Sequence, residues 1–146
     1  MKKTILTIAA IAISFSSFAQ IKIIEDTSVE IGYMKIQLAP KNIVVTLDNG
    51  TYRFMFKDIQ YTQINEFKFF YFKGKESLDG LYDIMMNQFK TDKNTELKFE
   101  LDDNTITIVT KKMLGMAYLQ VYVQAPGQPI GAFNVEPKYM NTLFGK

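Results

Sequence analysis

Cysteine, histidine and tryptophan are all absent from the 146 residues, and proline occurs only four times. Without cysteine the chain has no disulfide, no thiol nucleophile, no iron–sulfur cluster and no structural zinc site of the usual kind. Without histidine it lacks the Ser-His-Asp triad, the commonest general base near neutral pH and the commonest metal ligand. No glycine-rich phosphate loop is present. Gly74-Lys75-Glu76-Ser77 has no upstream glycine at P-loop spacing and reads as a helix start.

Few charge clusters remain to carry chemistry. Glu25-Asp26 and Asp102-Asp103 are the acidic pairs considered for a two-carboxylate mechanism. The second falls in a hairpin turn, where Asp serves local hydrogen bonding, and neither has the spacing of a calcium loop. Met113 and Met116 flank Gly115 and form the one methionine pair that suggests a soft metal such as Cu(I). The methionines on the helix stripe described below fit as core filler. The expectation is a protein that is not an enzyme and uses no cofactor or metal.

The first residues, MKKTILTIAAIAISFSSFAQ, have two lysines, an apolar run and Ser17-Phe18-Ala19 as a small-residue cleavage site. These are the three parts of a Sec-type signal peptide over residues 1–19. The apolar run is shorter than the ~20 residues a membrane span needs. With no cysteine to accept lipid, residues 20–146 are expected as a single secreted or periplasmic domain without a stable membrane anchor. Removal of Lys2 and Lys3 also removes the excess of 17 basic over 15 acidic residues. A basic stripe for nucleic acid is therefore not expected.

What is abundant is aromatic and β-branched sequence. In NIVVTLDNGTYRFMF, Asn49-Gly50 supplies the positive φ angles of a type I′ turn. That turn sets Leu47 opposite Tyr52, Val45 opposite Phe54 and Ile43 opposite Phe56. Val44, Thr46, Arg53 and Met55 take the other face. In ELKFELDDNTITIVT a turn at Asp103-Asn104 sets Leu101 opposite Ile106 and Phe99 opposite Ile108. A strand over 67–72 and a helix beginning at Ser77 follow the first hairpin. Leu78, Leu81, Tyr82, Met85 and Phe89 form that helix's apolar stripe.

The second hairpin is followed by a strand over 116–124, a Pro/Gly loop and a short helix between Pro137 and Gly145. Val29 to Leu38 adds one strand near the start. A shift of 54 positions lays Leu47-Asp48 on Leu101-Asp102 and Phe54 on Ile108, which suggests a duplicated βββα unit. The expected fold is α+β, a mainly antiparallel twisted sheet of six or seven strands with two helices on one face.

The stretch Phe67-Lys68-Phe69-Phe70-Tyr71-Phe72 places aromatics on both faces of its strand. With Phe67, Phe69 and Tyr71 assigned to the core, Phe70 and Phe72 fall on an open face. Arg53, Met55, Tyr118 and Tyr122 join them there as candidate binding residues. Three uses of that face compete: a cover formed by residues 21–38, an interface with a protein partner or a second copy, and a cavity for an apolar ligand or lipid. A non-catalytic interaction protein is the expected function. A carrier with a cavity lined by Tyr82, Met85 and Phe89 is the alternative.

Overall fold

A computed structural model describes residues 26–36 and 38–146. The expected signal peptide lies outside the described residues. Among the described residues, eight strands form two antiparallel four-stranded meanders, ordered β1-β2-β3-β4 and β5-β6-β7-β8. The first comprises β1 (Val29–Lys35), β2 (Lys41–Asp48), β3 (Thr51–Lys57) and β4 (Phe67–Lys73), followed by helix α1 (Lys75–Gln88). The second comprises β5 (Glu96–Leu101), β6 (Asn104–Met113), β7 (Met116–Gln124) and β8 (Gly131–Val135). A 3-10 turn (Pro137–Tyr139) and helix α2 (Met140–Phe144) close the chain. Among the described residues, no helix is long and apolar enough to cross a membrane.

The fold is thus α+β and antiparallel, with its strands divided between two sheets rather than joined in one. Phe133 of β8 bridges the two, stacking on Phe54 at 5.3 Å and lying 4.9 Å from Phe56. Both sheets and both helices feed one apolar core. Leu78, Leu81 and Met85 enter it from α1, and Met140, Leu143 and Phe144 from α2. The helices lie against each other, with the Tyr82 hydroxyl 2.8 Å from Asn141 Oδ1 and its ring edge-on to Phe144.

The Asn49-Gly50 hairpin has the expected register: Ile43, Val45 and Leu47 face Phe56, Phe54 and Tyr52. The β5–β6 hairpin differs by two residues, with Phe99 opposite Ile106 and Leu101 opposite Asn104. Its turn is Asp102-Asp103, because Asp102 takes the positive φ of 50° and the Asn104 amide is needed elsewhere. Asn104 Nδ2 donates to Leu101 O at 2.9 Å and to Tyr71 O at 2.7 Å. Helix α1 starts two residues before Ser77, after Gly74 at φ 84°.

The chain order does repeat, but as four strands and a helix. β8, hidden behind the Pro/Gly loop, completes the second block, and Asn49-Gly50 takes the place of Leu114-Gly115 rather than of Asp103-Asn104. The register of 54 positions is an alignment of one hairpin with its neighbour. Period-two alternation and turn residues are common to every hairpin, so such a match is easily made.

Candidate functional site

The placement of the aromatic strand decides which face is open. Along β4, exposure alternates strictly: Phe67, Phe69 and Tyr71 face outward, while Lys68, Phe70 and Phe72 point inward. Phe70 and Phe72 are each 1 % exposed and stack beside Phe54 and Tyr52 in the core. The expected assignment is therefore reversed. The cause is Lys68, which is buried after all. Its ammonium lies 2.6 Å from the fully buried Asp58 carboxylate and 3.0 Å from Ile130 O. Asp58 also accepts from the backbone N–H groups of Gln60 and Ala132. Burial penalises its charge, but Lys68 and those two N–H groups outweigh the penalty and hold the carboxyl below its ordinary pKa.

With that parity, the outer face of the first sheet carries an aromatic stripe. One cross-strand row runs Tyr33, Val44, Met55, Phe69. The next runs Glu30, Thr46, Arg53, Tyr71, and Lys57 pairs with Phe67 beyond. Phe67, Phe69 and Tyr71 are 38 %, 39 % and 48 % exposed, so each ring shows a large part of its area to solvent. Phe69 and Tyr71 meet edge-on at 5.5 Å. Lys41 sits 4.2 Å above the Tyr33 ring and pairs with Glu30. Strand geometry alone assembles this stripe, because every second residue of four paired strands shares one face.

At one end the stripe grades into a polar recess of about 350 Å³ lined by Asp26, Thr46, Asp48, Arg53 and Tyr71. The Asp26 carboxyl lies below its ordinary pKa, chiefly through hydrogen bonds from Ser28 and more weakly through the Arg53 charge. Thr27 Oγ1 donates to Asp48 at 2.8 Å, fixing the recess wall. Aromatic area, a guanidinium and flanking carboxylates together suit recognition of a surface with both apolar and charged groups.

Of the six candidate residues, Arg53 and Met55 lie on this face. Tyr118 and Tyr122 belong to the outer face of the second sheet, where Tyr122 pairs with Thr107. The recesses lined by Tyr118 and Tyr122 do not include Arg53. Phe70 and Phe72 belong to the core, each only 1 % exposed. Tyr82, Met85 and Phe89, the proposed walls of a carrier cavity, pack into or against the common core. Asp102, half of an acidic pair, accepts the Lys73 backbone N–H at 2.8 Å, which is a structural role.

Sequence reasoning missed Tyr33, Phe67, Phe69 and Tyr71. The signal that finds them is the lysine in the aromatic run together with an aspartate just past β3. No protein-family model matches the chain, and no significant match was found among curated proteins or solved structures.

Proposed function

We propose that the protein is a small extracytoplasmic interaction protein without catalytic activity, and that it docks a protein partner on the outer face of its first sheet. The observation that carries this reading is the row Tyr33, Val44, Met55, Phe69 with Tyr71 and Arg53 beside it. Aromatic residues, methionine and arginine are the types enriched at the centres of protein interfaces. Burying the exposed remainder of each ring contributes about 1 kcal/mol. The leader-like sequence at residues 1–19 supports an extracytoplasmic place of work.

The test uses a photo-cross-linking residue at Met55 and, as a control on the opposite sheet, at Thr107. A discrete adduct in the native host is expected from position 55 and not from 107, and it should vanish in Phe69→Ser/Tyr71→Ser. Light scattering distinguishes a second copy of the chain from a different partner. Equal adducts from both positions, or none from position 55, would reject the reading.

A further inference from the structure

The far end of the molecule holds an apolar surface of another kind. The hairpin joining β6 and β7 turns through Leu114 and Gly115, with φ 51° and 79°. The turn between β2 and β3 has the same geometry at φ 48° and 77°, and there the first position is Asn49, a residue that tolerates positive φ. Leucine does not, and at 91 % exposure Leu114 gains nothing from packing in return. Met113 and Met116 beside it are 61 % and 64 % exposed. Neither the turn nor the core explains an apolar tip at this place.

A second loop reaches the same end. Ile36 lines a cleft of about 270 Å³ together with Met113, Met116 and Tyr118. Leu38, two residues on, is almost wholly exposed. Basic residues stand directly behind both tips. Met113 pairs with Met116, then Lys112 with Ala117, then Lys111 with Tyr118. At about 3.4 Å per residue, Lys112 and the Lys111/Tyr118 row lie roughly 3 and 7 Å behind the methionines. Lys35 stands at the base of the other loop, opposite Lys41, whose ammonium is held by Glu30 at 2.6 Å. Glu136, the acid in the cleft, is held by Lys138 at 2.8 Å.

We propose that this end dips into the interface of an anionic lipid bilayer, with Leu114, Met113 and Met116 among the acyl chains and the lysines at the headgroups. Interfacial elements seat their apolar side about 5–10 Å deep, which matches the distance from the tip to the Lys111/Tyr118 row. Basic residues near such a surface add attraction to anionic lipid, and tyrosine is favoured at that depth. The composition also separates lipid from protein as the occupant. The apex is a leucine, a type under-represented among the anchors of protein interfaces, and the tip offers none of the tyrosine, tryptophan or arginine that carry most of their energy. Lipid rewards apolar area without demanding shape.

The purified protein is sedimented with vesicles of phosphatidylethanolamine containing one third phosphatidylglycerol, and with neutral vesicles. Binding is expected on the anionic vesicles, several-fold weaker on neutral ones and weaker in high salt. Leu114→Asn, which suits the turn, should keep or raise the melting temperature while lowering vesicle affinity about tenfold. Met113→Ser/Met116→Ser should do the same, and Thr107→Ala, four residues from Lys111 along β6, should bind like the parent. A parent protein that stays in the supernatant, or tip variants that pellet undiminished, would overturn the proposal. Equal binding to neutral vesicles would overturn it as well, because the proposed surface is anionic.

Discussion

Lys68 and Asp58 form an ion pair of 2.6 Å in which the side chains are 8 % and 0 % exposed. This pair turns the β4 strand over. By accepting a lysine on the inner face, the core takes Phe70 and Phe72 and leaves Phe67, Phe69 and Tyr71 outside.

Breaking the pair from one side leaves a buried charge without its partner. Lys68→Met should cost about 3–5 kcal/mol, as expected for an uncompensated buried ion. Lys68→Met combined with Asp58→Leu should cost less than either single change, because no charge is then stranded. Urea denaturation of the three variants checks the order.

The same pair makes an acid-sensitive contribution to stability. The folded-state pKa of Asp58 lies below the unfolded value. Its contribution is therefore present above the unfolded pKa and fades as pH falls through the folded one. Melting temperature against pH should fall less steeply below pH 4 in Asp58→Asn than in the parent, from a lower starting value. Parallel curves would show that Asp58 takes no part in the acid response.

The two aromatic sets of β4 should respond oppositely to truncation. Phe70→Ser/Phe72→Ser removes two buried rings at about 3–5 kcal/mol each, enough to unfold a domain of about 5–15 kcal/mol. Phe67→Ser/Phe69→Ser should leave the fold intact with a small loss. Circular dichroism melts of the two doubles compare them directly.

Gly32 is held small by the last helix. A Cβ there would come 2.0 Å from Thr142 O and 2.4 Å from Leu143 O, both rigid backbone atoms. Gly32→Ala should displace α2 from β1 and destabilise by about 3 kcal/mol, at the upper end of overpacking costs. Faster amide exchange at Leu143 and Phe144 would locate the damage.

Local signals made much of the fold readable. Asn49-Gly50 fixed its hairpin register because only a few residues accept two positive φ angles in succession. Gly145 at φ 67° ends the last helix for the same reason, and Pro137, with its φ locked near the helical value, starts the 3-10 turn that leads into it. What stayed hidden depends on distant residues. Nine residues separate β3 from β4, so turn chemistry gives no register there, and the parity of β4 rests on an ion pair with Asp58. Gly131 lies so close to Lys68 and Phe56 that a Cβ would be 2.7 Å and 2.9 Å from them. That approach brings β8 to the first sheet, and nothing around "GAFNV" announces it. The candidate face inherited the parity error, which is why Arg53 and Met55 were found and their aromatic neighbours were not.

The outer rim of β4 is occupied by groups from the second half of the chain. Asn104 and Gln128 donate to the Tyr71 and Phe69 carbonyls, and Asp102 accepts from Lys73 N. A chain stopping after α1 would leave those groups bare, together with the inner rings that Phe133 now covers. The second block thus serves the first twice over, as a cap on its open strand edge and as a cover for its rings.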